Sequence, residues 1–269
     1  MSEHCAVPMP PTADFQWPGT DADGAAGPPE DFVESFAALM PSRYRVLFDP
    51  RSIWKHAAVS YRRGDRPAHA EVWRSLADGS AALCVVADDR PGLLSAIAAA
   101  LISHRLDVIT ALVFSRITPA GDCEAVDILW VRRDSPEDAE AIDTDEAVSI
   151  GEVLSAILAG NISVEEIASR TQAAKSSSEV GVVVRFDPGE ESPLAVLNVE
   201  APDRPGMLLA ITLELFQQGA QIVRSLVRTS RGRAFNSFDL VEFSGAPLSA
   251  DRREQIRAAV FAALALGEE

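Results

Sequence analysis

Residues 87–96 read ADDRPGLLSA and residues 201–210 read APDRPGMLLA. In both places an Asp-Arg-Pro-Gly turn follows an apolar run and opens onto another. Matching Asp89 to Asp203 sets an offset of 203 − 89 = 114. The same offset aligns Leu83 with Leu197, Val85 with Val199, Ile97 with Ile211, Leu101 with Leu215 and Leu112 with Leu226. Agreement at so many apolar positions identifies a duplicated unit.

The surrounding periodicities give each unit its elements. AEVWRSL and ALCVVA read as two strands around Asp78-Gly79, a hairpin signal. GLLSAIAAALISH has the helical spacing Leu93, Leu94, Ile97, Leu101, Ile102. DVITALVFSRIT and AVDILWVRR then read as two strands, and DEAVSIGEVLSAILAG as a helix stopped by Gly160. The second unit repeats the order with VGVVVRFD, LAVLNVEA, the turn, a helix, QIVRSLVRTS, FNSFDLVEF and SADRREQIRAAVFAALA. Shortening its last hairpin by five residues pairs Asp127 with Asn236.

Each unit is therefore expected to be β-β-α-β-β-α, and the fold class α+β: four-stranded antiparallel sheets with helices on one face, the two pairing within the chain into a continuous eight-stranded sheet. The expected organisation is a disordered tail over 1–29, rich in Pro, Gly, Ala and Asp, and a helical lead-in over 30–66. The units follow at 70–160 and 180–266, separated by a helix and linker over 161–179. Ser163 with Glu166 forms a capping-box pattern for the linker helix, and KSSSE reads as the linker itself.

Proline fixes φ and needs no backbone donor, and glycine lets another group approach the backbone, so the turn presents a helix N-terminus with open N–H groups. Such an end attracts a carboxylate. Asp89 and Asp203 either cap these ends or accept from a ligand ammonium. Helix end and acid together match a free α-amino acid, while capping and close packing explain the same residues without a ligand. Asp127 and Asn236, on equivalent strands, read as water-facing by alternation.

Composition excludes several classes. A formal charge of −16 opposes nucleic acid and anionic membrane. Cys5, Cys84 and Cys123 have neither disulfide-framework nor zinc spacing. No apolar run approaches 18 residues and no export signal opens the chain, so a cytoplasmic location is expected. GxSxG, GxGxxG and GxxxxGK[ST] are absent, and the acidic run Glu137, Asp138, Glu140, Asp143, Asp145, Glu146 reads as a solvated loop and helix start. No cofactor, metal site or catalytic set is expected.

Strand, DRPG turn, amphipathic helix and strand pair resemble the ACT domain, a small ligand-binding regulatory module. PSRYRVLFDPRSIWKHA, VVVRFDP and the long stretch from VEAPDRPGMLLA to AFNSFDLV are further similar to the C-terminal regulatory region of the bifunctional PII uridylyltransferase/uridylyl-removing enzymes. The resemblance implies a tandem, ferredoxin-like pair of ACT domains that senses an amino acid, glutamine among the candidates, in nitrogen or amino-acid metabolism. The candidate ligand-binding residues are Asp89, Arg90, Pro91, Gly92, Leu93, Asp203, Arg204, Pro205, Gly206, Met207 and Asn236.

Catalysis is not implied. Gly79-Ser80 lies in a hairpin, and His4, His56, His69 and His104 are followed by Cys, Ala, Ala and Arg, so no His-Asp pair of a metal-dependent hydrolase is present. The expectation is a non-catalytic sensor, with a ligand-free interaction scaffold or regulatory subunit as the alternative and uridylyl transfer the least favoured reading. Expected partners are an amino acid, a protein of nitrogen or amino-acid metabolism, and another copy of the chain.

Overall fold

The computed structural model describes residues 27–76, 78–135, 140–172, 181–188 and 192–265. The expected tail, apart from 27–29, and the KSSSE linker lie outside these residues, as do Cys5, His4, Glu137 and Asp138. The described residues form eight helices and nine strands. The lead-in comprises α1 (Glu30–Leu39), α2 (Ser42–Leu47) and α3 (Pro50–Arg63). Asp49 caps α3 by accepting from the Ser52 amide at 2.8 Å, and Pro50 occupies its first turn.

The first unit contains β1 (Ala68–Ser75), β2 (Ala81–Asp88), α4 (Leu93–Ser103), β3 (Leu106–Leu112), β4 (Ser115–Ile117), β5 (Cys123–Arg133) and α5 (Thr144–Leu158). The crossing helix α6 (Val164–Gln172) follows. The second unit contains β6 (Val183–Phe186), β7 (Ala195–Pro202), α7 (Met207–Gln217), β8 (Ala220–Ser230), β9 (Arg233–Glu242) and α8 (Ala250–Ala265).

All strands join one sheet in the order β1-β2-β5-β3-β8-β9-β7-β6, with β4 on β5. Every ladder is antiparallel. The two halves have the same internal order, and they meet where Thr110, Ala111 and Leu112 pair with Arg228, Val227 and Leu226. Since 112 + 114 = 226, Leu112 faces its own equivalent, and a local two-fold axis runs between them. Val85 pairs with Asp127 as Val199 pairs with Asn236, so the register reproduces the alignment read from the sequence.

Helices α4, α5, α7 and α8 cover one face around a core that includes Leu83, Ile97, Leu101, Leu129, Leu197, Ile211, Leu215 and Phe238. Three features differ from the sequence expectation. α2 was not anticipated. The strand expected over 107–118 breaks at Val113-Phe114, because β3 turns outward to pair with β8 while Phe114 enters a second core. That second core is the third difference: the lead-in covers the opposite face of the first unit through Phe36, Tyr44, Phe48, Trp54, Trp73 and Phe114, so helices flank both faces there.

The lead-in is also held by buried charge. Glu124 on β5 accepts from Arg63 at 3.1 Å, from Arg116 at 2.7 Å and from Ser60 at 3.0 Å. The Arg116 guanidinium lies 4.6 Å over the Phe36 ring. Removing the shared carboxylate leaves the buried Arg116 guanidinium without a carboxylate and Arg63 with only the exposed Asp88. Glu124→Gln is expected to lower the unfolding free energy by about 3 kcal/mol in urea melts. Tryptophan fluorescence should report early loosening of the lead-in, which contains Trp54.

Candidate functional site

The two DRPG turns have the same backbone. Gly92 and Gly206 precede α4 and α7 in the left-handed region, at φ 82° and 77°, where glycine carries no penalty. Neither helix has a side-chain cap, so the capping role considered for Asp89 and Asp203 is not the one they take. Each aspartate stands three residues before its N-cap glycine and is anchored through its backbone N–H, to Cys123 O and Gly232 O respectively, at 3.0 and 2.9 Å.

The arginines serve elsewhere. Arg90 donates to the Leu158 carbonyl at the end of α5, and Arg204 donates to the Leu264 carbonyl at the end of α8. Each turn thereby satisfies a carbonyl in the last turn of its neighbouring helix. Pro91 and Pro205 are exposed, whereas Leu93 and Met207 point into the core. Asn236 is buried and its amide lies 3.9 Å from the Met207 sulfur.

The two-fold arrangement sets the start of β3 against the second turn and the start of β8 against the first. There the copies diverge. At the second turn, Arg132 bridges Asp107 at 3.1 Å and Asp203 at 2.6 Å, and the Thr229 hydroxyl donates to Asp203 at 3.3 Å. Helix α6 crosses above it, with the Thr171 methyl 2.7 Å from where a Cβ on Gly206 would stand. The second turn keeps a cavity of about 20 Å³, lined by Thr171, Arg204, Gly206 and Leu209 among others, but its aspartate is already paired with Arg132.

At the first turn, Gln221 takes the place of Asp107 (107 + 114 = 221), and Val241 pairs with Gln221 as Arg132 pairs with Asp107. Without that cation, among the described residues the only side chain bonded to the Asp89 carboxylate is the Cys123 thiol, at 3.8 Å. A cavity of about 30 Å³ opens here, lined by Asp89, Asp127, the start of α4, and Thr212, Phe216 and Gln221 from the other unit. The Phe216 ring closes one side and leaves no room for a side chain at Gly92, whose Cβ would stand 2.8 Å from it.

Asp127 is the unusual group in this cavity. Alternation suggested a water-facing residue, but it is 1% exposed, because the pleat turns it inward beneath α4. One oxygen, Oδ1, is buried with no hydrogen-bond partner. Burial and the nearby Asp89 push its carboxyl well above the usual carboxylate range, opposed only by a backbone hydrogen bond with Phe114. This environment favours the protonated form, which can donate as well as accept. Thr212, Gln221 and Asp127 were not among the candidates from sequence. The available signal was the 114-residue offset, which sets Gln221 against Asp107 and Val241 against a cation.

No family model matches the chain. It is similar to the bifunctional uridylyltransferase/uridylyl-removing enzyme of Nitrobacter hamburgensis, 27% identical over 71% of this chain and 20% of that protein. The enzyme of the same name from Phenylobacterium zucineum is 24% identical over 92% of this chain and 26% of its own length. That of Gluconobacter oxydans is 27% identical over 83% and 24%. The chain thus spans about a quarter or less of the curated relatives it matches. Among the described residues no helix is long and apolar enough to cross a membrane, and no cluster of three metal-ligating side chains occurs.

The Asp107–Arg132–Asp203 bridge makes stability depend on pH. Burial, then the Asp203 charge, raise the Asp107 carboxyl to about 6 despite Arg132. A carboxyl raised above its unfolded value binds its proton more tightly in the folded state, so this group's contribution falls as pH rises from about 4 to 6 and is lost above that. Asp107→Asn is expected to be more stable than the parent at pH 7.5, by on the order of 2 kcal/mol. That difference should vanish near pH 4 in paired denaturant melts.

Proposed function

We propose that the chain is a non-catalytic regulatory unit, built as a tandem ACT pair, that senses a free amino acid between its two repeats at the first DRPG turn. The observation that carries this reading is the unpartnered, buried Oδ1 of Asp127, a residue that lines a cavity together with Asp89 and the α4 N-terminus. Asp89, free of an arginine partner, accepts from the ligand ammonium. The N-terminus of α4 takes the carboxylate through its N–H groups and dipole. Asp127, Thr212 and Gln221 receive the polar end of the ligand side chain, for which glutamine is one candidate.

The cavity of about 30 Å³ has room for one or two waters, so a ligand must part the side chains of α4 and α7 to enter. Its walls come from both repeats. Ligand free energy is then spent on the arrangement of one repeat against the other, and differential affinity for two arrangements is the signal. Arg63 carries the turn's position to the lead-in, since it pairs with Asp88 beside Asp89 and with Glu124. The similarity to a minor part of a bifunctional enzyme supports a regulatory rather than a catalytic reading.

A thermal-shift and calorimetric screen of the common amino acids tests this. A ligand at one hundred times its dissociation constant is expected to add about 2.7 kcal/mol of stability. The shift should be lost in Asp127→Ala and Asp89→Asn and retained in Asp203→Asn. Silence across the panel at millimolar concentration, or equal loss in all three variants, would overturn the reading.

A further inference from the structure

The second repeat leaves bare the sheet face that the lead-in covers on the first. On the first repeat that face presents Ala82, Cys84, Val86, Val126, Ile128 and Trp130 to the helices. The equivalent positions on β7 and β9 are Val196, Asn198, Glu200, Phe235, Ser237 and Asp239. Arg224 and, near Asp239, Arg43 of the lead-in reach one end of this face, while Asn198, Glu200, Phe235 and Ser237 floor an open trough of about 260 Å³. Its flanks are apolar as well as charged: Leu226 on β8 is 52% exposed and Val183 on β6 is 44% exposed.

Among the described residues this face carries four arginines against three carboxylates, one of which, Asp187, accepts from the Asn198 amide at 2.6 Å. Arg224 pairs with Asp239 and Arg233 with Glu200. Arg228 and Arg185 remain, and among the described residues neither lies within ion-pair distance of a carboxylate; Arg228 rests 5.7 Å over the Phe235 ring. In a chain of formal charge −16, two free guanidiniums on one bare face are conspicuous. The ladders place them on opposite banks, Arg228 opposite Phe235 on β9 and Arg185 opposite Asn198 on β7. Three inter-strand steps separate β8 from β6, about 14 Å. An α-helix about 10 Å across fits between them.

We infer that this face docks an acidic amphipathic helix of a partner protein, with carboxylates on its two sides meeting Arg185 and Arg228 and an apolar stripe resting on Val183, Phe235 and Leu226. The covered face of the first repeat shows that helices seat on this surface of the sheet. The polar floor at Asn198 and Ser237 suits a reversible complex rather than a permanent core.

A peptide with the sequence of residues 29–40, PEDFVESFAALM, is a suitable probe, being acidic, free of lysine and arginine and helical within this protein. Titrated at low ionic strength into the isotopically labelled full chain, it is expected to move the resonances of Val183, Leu226 and Phe235. Arg185→Glu with Arg228→Glu should weaken binding at least tenfold with the melting temperature unchanged, both side chains being exposed. A version of the peptide with Glu30, Asp31 and Glu34 replaced by lysine should not bind. No change on this face at millimolar peptide, or binding indifferent to the two reversals, would overturn the proposal. So would self-association that shifts the same resonances without peptide, which would assign the face to a second copy of the chain. None of these readouts involves the cavity at the first turn, so this result and the amino-acid screen succeed or fail separately.

Discussion

Everything in this molecule depends on three residue pairs at the junction of β3 and β8. Thr110, Ala111 and Leu112 against Arg228, Val227 and Leu226 turn two small sheets into one. Antiparallel pairing of equivalent strands fixes a local two-fold axis. That axis also decides which groups face each DRPG turn, because the strand following one turned helix runs beside the turn of the other repeat. Neither turn is therefore a site by itself. Each is completed by the other half.

Symmetry of backbone with divergence of side chain gives the two turns different fates. Arg132 neutralises Asp203 and spans the repeats, and α6 lies across Gly206, so the second turn is a structural clasp. Val241 and Gln221 stand at the corresponding positions of the first turn, and among the described residues no cation pairs with Asp89. Asp127 deepens the contrast, since its equivalent Asn236 carries an amide in place of the carboxyl and lies against a methionine sulfur. A buried acid with an orphaned oxygen carries a cost of about 1–3 kcal/mol. The first turn bears that cost while the second does not.

A similar asymmetry separates the two outer faces. In the first repeat ALCVVA is apolar at every position because both faces of β2 are covered; in the second, AVLNVEA alternates because one face meets water. The lead-in explains the difference: its aromatic residues need an apolar floor, and Glu124 with Arg63 and Arg116 locks them down. The contrast was present in the sequence and foretold a covered face that the reading by repeats passed over.

The sequence by itself determined the duplication and the strand and helix order of each half. These follow from local propensity and from periodicities of two and 3.6 residues, which survive in one dimension. The split of the third strand, the burial of Asp127, the loss of the capping role for Asp89 and Asp203 and the capture of Asp203 by Arg132 were decided only by tertiary structure. The reason is physical. Desolvation and ion pairing depend on groups far apart in the chain, such as Arg132 and Asp203, and the edge-to-edge pairing of the halves brings them within 2.6 Å.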